Sequence, residues 1–202
     1  RLTMTQYGRL MMKNPFSKQQ VLSVVQSTLV NVMGCDADEL APDAALINDL
    51  DADSLDFVDL RYNLEKQLVL LLPQKSVLDH LEEFLGDASQ VTQNGKITGL
   101  AAYALQHSFF QYTPEQVKAG MRPLDVLNVA TVQNWANLCH GILDHLPEKC
   151  PECGHTQANI GTNGKAVCGS CASILKPLSG DEAMSLDIRR IIHEWQLNGV
   201  PA

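Results

Sequence analysis

Two groups of residues carry chemistry in their type and spacing. Cys150-x-x-Cys153 and Cys168-x-x-Cys171 are two pairs separated by 14 residues. Each pair can turn around one metal ion, and four thiolates complete a tetrahedron, so the pattern reads as structural zinc. Asn163-Gly164 between the pairs is a hairpin-turn signal, and two knuckles joined by a hairpin make a zinc ribbon. Four cysteine ligands leave no open position for water or substrate. The ion would fold a segment too small to hold a core, and it would not catalyse. His155 is the alternative ligand nearby. Buried free thiols or a redox dithiol would also use cysteines, but the doubled x-x spacing argues against both.

The second group is Asp53-Ser54-Leu55 within "DLDADSLDFVDL". From Asp36 to Leu60 there are nine acidic residues and no Lys or Arg. A serine in this setting has two readings. It can be a helix N-cap, with the aspartates complementing the helix dipole, or it can be a point of attachment. Elsewhere the chemistry thins out. His80, His107, His140, His145 and His193 are scattered and read as surface or structural residues. Cys35 and Cys139 read as small buried side chains. No G-x-S-x-G, P-loop or Rossmann glycine pattern is present, so the chain is expected to be no enzyme. The run Phe109-Phe110-Gln111-Tyr112 reads as core, with a groove for an acyl chain as the alternative.

These residues need elements to hold them. "SKQQ" is a capping box, with Ser17 as N-cap and Gln20 reaching back. Val21, Val25, Leu29 and Val32 recur at helical spacing, and Gly34 supplies a left-handed stop. After a polar loop, a second helix is expected from about Ser54 to Leu68. Phe57, Leu60, Leu64 and Leu68 form its stripe, with Leu55, Val58 and Tyr62 beside it. Ser76 caps "VLDHLEEFLG", and "GKITGLAAYALQHSFF" reads as a buried helix. Thr113, Pro114 and Gln116 open a further helix. Thr131 caps "VQNWANLCHGILDHL", with Val132, Trp135, Leu138, Ile142 and Leu146 on one face. With no clear strand, the first ~146 residues are expected to be all-α. From Pro147 the texture turns to Gly, Cys and turn residues. Ser179 and Glu182 then open a last helix with Met184, Ile188, Ile191 and Trp195 on its stripe.

Composition sets the outer limits. At 202 residues, with 45% hydrophobic and 19% charged residues, the chain can bury a proper core. A net charge of −8 argues against nucleic acid as a partner and for partners with basic docking surfaces. Residues 147–178 hold three lysines and no arginine, so the ribbon is no basic patch either. The longest aliphatic run, Leu68 to Leu72, is far short of a membrane span. The N-terminal residues show no apolar core long enough for a signal peptide. A reducing, cytoplasmic setting fits the cysteines.

"DLDADSLDFVDLRYNLEKQL" resembles the acyl carrier proteins and related peptidyl carrier domains, whose signature is D-L-G-x-D-S-L followed by an acidic amphipathic helix. The likeness extends to the helix from Ser17 and the loop ending "PDAALINDL". Downstream, "DVLNVATVQNWANLCHGIL" looks like the family's short third segment and final helix. The resemblance covers about 80 residues in two pieces, 17–72 and about 121–146. It implies that Ser54 carries 4′-phosphopantetheine through a phosphodiester (a phosphoprotein in that sense) and that a thiol at the arm's end carries acyl groups as thioesters. A phosphate there would face helix N–H groups and the dipole's positive end. Asp53 would assist the modifying phosphopantetheinyl transferase through its metal ion. Asp56, Asp59 and Glu65, with Leu55 and Val58, would form the surface that acyl-transferring or condensing enzymes recognise.

Three departures stand out. Asp51 occupies the place of the usual glycine, Arg61 and Lys66 interrupt the acidic face, and residues 73–120 have no counterpart. The expected fold is therefore mainly α. It comprises an N-terminal extension (1–16), an acyl-carrier-like four-helix domain (17–72 and 121–146), a helical insertion (73–120), a zinc ribbon (147–178) and a C-terminal helix (179–202). The expected function is an acyl or aminoacyl carrier in lipid or polyketide biosynthesis. The alternative is an unmodified carrier-fold module whose insertion and ribbon scaffold a complex.

Overall fold

The computed structural model describes residues 2–4 and 10–197. The remainder of the expected N-terminal extension, and the last five residues of the expected 179–202 segment, lie outside the described residues. Among those described there are seven α-helices and three two-stranded antiparallel hairpins. The hairpins are β1 (Leu2–Met4) with β2 (Leu10–Met12), β3 (Thr92–Gln93) with β4 (Lys96–Ile97), and β5 (Ala158–Ile160) with β6 (Ala166–Cys168).

Helix α1 (Lys18–Met33) starts at the Ser17 capping box and stops at Gly34, whose φ of 67° lets its N–H close on the Val30 carbonyl. Its buried face is Val21, Leu22, Val25 and Leu29, while Val32 is half-buried. Helix α2 (Ser54–Leu68) buries Leu60, Leu64 and Leu68 against it. Helix α6 (Val132–Leu143) buries Val132, Trp135, Leu138 and Ile142, and packs along α1. The short α5 (Pro123–Asn128) precedes it, with proline at its first turn. Leu146 is buried but lies beyond the end of α6.

A second helical group sits beside this bundle. Helix α3 (Val77–Leu85) and helix α4 (Gly99–His107) pack on each other and on α7 (Gly180–Leu197). The C-terminal helix thus belongs with residues 73–120. Its entry explains how. Gly180 donates its N–H to the Leu71 carbonyl at 2.6 Å. Asp181 accepts the Gln74 and Lys75 N–H groups and contacts His80 Nε2 at 2.8 Å. At the far end, Arg190 pairs with Asp187 and donates to the His107 carbonyl at 2.7 Å. Trp195 packs against Tyr103 with ring centres 4.9 Å apart and the planes tilted by 60°.

Two sequence expectations are corrected in this region. The chain before α4 is the β3–β4 hairpin around Asn94-Gly95, both at positive φ, so the first ~146 residues are not purely helical. The Thr113–Gln116 box forms its reciprocal bonds, but only one turn follows. The chain then bends so that Gly120 donates to the Ile97 carbonyl and Ile97 donates to Met121. Gln116 Nε2 reaches Val129 O and Asn134 Oδ1. Tertiary bonds end the helix that the local signal would start.

Candidate functional site

The loop before α2 is held in place by α6. Leu46 N–H donates to Ala130 O, Val132 N–H to Ala44 O and Gln133 N–H to Pro42 O, and Ala45 bridges Thr131. The loop then turns back on itself, with Asp51 N–H on Ile47 O and Ala52 N–H on Leu46 O. Asp51 has φ = 55°, the left-handed region that glycine favours and that aspartate tolerates better than most residues. The residue that departs from the carrier signature thus takes up a conformation suited to the glycine it replaces. Ala52 is buried, and Asp53 and Ser54 emerge exposed at the start of α2.

The N-cap of α2 is Asp53. Its Oδ1 accepts Leu55 N–H at 2.7 Å and Asp56 N–H at 3.1 Å, while Asp56 Oδ2 accepts Asp53 N–H at 2.9 Å. Ser54 is therefore the first helical residue, and the reading of it as a cap is corrected. So is the view that the helix start leaves its N–H groups open for a phosphate, because a carboxylate already holds two of them. The Ser54 hydroxyl sits at the positive end of the helix on an exposed residue, held there by neighbours rather than engaged in capping.

The remaining α2 residues divide into two sets. Leu55 is 71% exposed, Val58 62% and Tyr62 62%, an apolar strip with exposed Asp59 beside it. Asp56 is half-buried in the capping box. Glu65 turns inward, its Oε1 accepting Leu72 N–H at 2.9 Å, so it holds the chain after the helix. Lys66 lies over the Tyr62 ring at 6.0 Å. Arg61 donates to Leu72 O at 3.4 Å.

The four cysteines meet at one point. Their Sγ atoms all lie within 4.8 Å of one another, with Cys150–Cys171 at 3.7 Å and Cys153–Cys168 at 3.5 Å. A tetrahedron with metal–sulfur bonds of about 2.3 Å has edges of ~3.8 Å, so the cluster fits such an ion. The two knuckles are built alike. Gly154 and Ala172, at φ of 74° and 58°, donate their N–H groups to the Cys150 and Cys168 carbonyls. The hairpin places Ala158 opposite Cys168, and Gly164 at φ = 74° makes its turn. His155 contributes its backbone carbonyl, to Cys150 N–H at 2.8 Å, and its ring is not part of the cluster. Ser173 Oγ stands 3.2 Å from Cys150 Sγ and 3.1 Å from Cys171 Sγ. That hydroxyl, foremost, draws the Cys150 thiol down to about 6.

Cys35 is half-buried, and Cys139 is buried in the core, where desolvation pushes its thiol up to about 12. Neither is placed to act as a nucleophile. His80 is buried between Asp181 and Ser185. Phe110 and Tyr112 stack with centres 5.4 Å apart, and Phe110 meets the edge of Trp135, which in turn packs on Phe57 of α2. This line of rings joins residues 73–120 to the carrier helices, a link that the aromatic run by itself does not announce.

Comparison with known proteins finds carrier-protein relatives. A family model described as a phosphopantetheine attachment site matches residues 23–86, a span that holds Ser54 and runs through α3. The acyl carrier protein of Cyanidioschyzon merolae is 32% identical over 91 residues, covering 45% of this chain and 85% of that protein. That of Karelsulcia muelleri is 36% identical over 53 residues, covering 26% of this chain and 64% of that protein. That of Thermotoga maritima is 39% identical over 51 residues, covering 25% of this chain and 63% of that protein. No solved structure matches the chain. No helix among the described residues is long and apolar enough to cross a membrane.

Proposed function

The chain belongs to the acyl carrier protein family, and from that membership we propose that it carries acyl or aminoacyl thioesters on a 4′-phosphopantetheine arm joined to Ser54 Oγ. The observation that carries this reading is Ser54 itself, exposed as the first residue of α2 and released from capping by Asp53. A phosphodiester there gains from the helix dipole. Asp53 is exposed; with Oδ1 engaged in the cap, its other oxygen would meet the metal ion of the phosphopantetheinyl transferase. Leu55, Val58 and Asp59 would dock biosynthetic enzymes that present basic surfaces around an apolar contact, with Tyr62 extending the strip. The protein's part in the chemistry is presentation, and the reactions belong to those partners.

In the same reading the four cysteines hold one structural Zn2+ and make residues 147–178 a ribbon. Residues 73–120, whose first part to residue 86 falls within the family match, extend the carrier domain of 17–72 and 121–146 and are braced by α7. The test is intact mass after incubation with a transferase and its pantetheine donor. The unmodified chain should gain one phosphopantetheine and Ser54→Ala none. A wild-type protein that stays at its apo mass refutes the carrier function and leaves the scaffold role.

A further inference from the structure

A groove of about 400 Å³ lies where α2, α5, α6 and residues 73–120 meet. Phe110, Tyr112, Trp135 and Leu127 make its apolar walls, and Arg61 stands at its edge. The size falls within the range of small-molecule sites, and so does the mix of apolar walls with a few polar groups. Two polar groups there lack the partners their burial calls for. Trp135 is 5% exposed, and its indole N–H finds no acceptor. Arg61 is half-buried, yet among the described residues no carboxylate pairs with it. Among the described residues its one side-chain hydrogen bond is the long 3.4 Å bond to Leu72 O. Lys75, also at the groove, is already paired with Glu83 at 2.6 Å.

The position of Arg61 relative to Ser54 gives the groove its occupant. Seven residues along a helix rise about 10 Å and turn to within ~20° of the starting direction. Ser54 and Arg61 therefore share one side of α2, with Phe57 between them packed on Trp135 at 5.8 Å. An arm on Ser54, a flexible chain with two amide links and a terminal thiol, is long enough to deliver its cargo there.

We propose that this groove seats the acyl group carried on Ser54, and that the group is one ending in a carboxylate. Its carbon chain lies against Phe110, Tyr112 and Trp135, and its terminal carboxylate meets the Arg61 guanidinium. Arginine is suited to this because its planar fork matches a carboxylate with two bonds. The surrounding chain reinforces the choice. Nine acidic residues and no cation precede Arg61 from Asp36 on, so an anionic acyl end finds its nearest cation along α2 at Arg61. The inference rests on Ser54 bearing the arm.

The test uses the full chain, loaded through a phosphopantetheinyl transferase with amide-linked glutaryl or pentanoyl arms, which differ only in the terminal carboxylate. Intact mass reports loading. The Trp135 indole N–H resonance, identified with Trp195→Phe, reports occupancy. The glutaryl arm should shift that resonance, and its seated-to-free ratio should exceed that of the pentanoyl arm by about fivefold to tenfold. Arg61→Gln should remove the difference, and Arg61→Lys should retain part of it. No shift with either loaded arm overturns the groove as a cargo site. Equal shifts that Arg61→Gln leaves unchanged overturn the carboxylate. Should Ser54 accept no arm, the carrier reading fails separately. Free glutaryl-pantetheine, titrated to millimolar concentration, then decides: a shift lost in Arg61→Gln upholds the groove, and no shift overturns it.

Discussion

Asp53 has two jobs in the reading developed above, and substitution can separate them. As N-cap, its Oδ1 receives Leu55 N–H and Asp56 N–H at 2.7 and 3.1 Å. Asp53→Ala removes the one oxygen that accepts both bonds, and losing a cap of this kind costs about 1–2 kcal/mol. Local opening of the first turn of α2 should then rise by about 5- to 30-fold. Asp53→Asn keeps an oxygen in place, and asparagine caps as well as aspartate, so its cost should stay within a few tenths of a kcal/mol. Hydrogen exchange at the Leu55 and Asp56 amides reads this directly. The second job, assisting the transferase's metal ion, needs the negative charge. Both variants should therefore slow phosphopantetheine transfer to Ser54, by about tenfold or more, although only Asp53→Ala loosens the helix. Unchanged amide protection in Asp53→Ala would refute the cap. A full transfer rate in Asp53→Asn would refute the metal role and leave Asp53 as a cap alone.

Three further outcomes follow from other parts of the molecule. Native mass spectrometry should find one zinc per chain, and Cys168→Ser or a strong chelator should remove it. Metal binding of this kind contributes on the order of 10 kcal/mol to a small fold, so the amides of Cys168 and Leu175, bonded to Ser173 O and Ala166 O, should lose protection while those of α1 keep theirs. Gly180→Ala would drive a methyl group into Pro73 N, Pro73 Cδ and Leu71 O. Crowding of that order costs about 1–3 kcal/mol, and thermal unfolding should show Tm lower by roughly 2–12 °C. Asp51→Gly should hold or raise stability by up to about 1 kcal/mol, because φ = 55° is less costly for glycine. Asp51→Val should lower it by about 1–2 kcal/mol, both read by denaturant unfolding.

Local chemistry made much of this protein legible. The boxes at Ser17 and Ser179 and the stop at Gly34 involve residues three or four apart, so the helices they bound can be read without neighbours. The same holds for the apolar stripe of α2 and for the paired C-x-x-C knuckles, where spacing alone brings sulfurs together. Asn94-Gly95 carried a hairpin signal of equal strength, but its strands are two residues each, too short for an alternating pattern to show. The cap of α2 fell to Asp53 instead of Ser54 because both residues can cap. The choice of register came from the loop pinned to the start of α6.

What only the tertiary structure decided lies between segments far apart in sequence. Gln116 could have continued a helix after Thr113, but Val129 and Asn134 claimed its amide. The C-terminal helix could have stood alone, but Gly180 and Asp181 fasten it to Leu71, Gln74 and Lys75. Phe110, Trp135 and Arg61 line one groove although they lie in three separate segments. Sequence determined which residues could act, because helix caps, turns and metal knuckles are short-range. Packing determined which of them face each other, because burial and close approach depend on partners tens to over a hundred residues away.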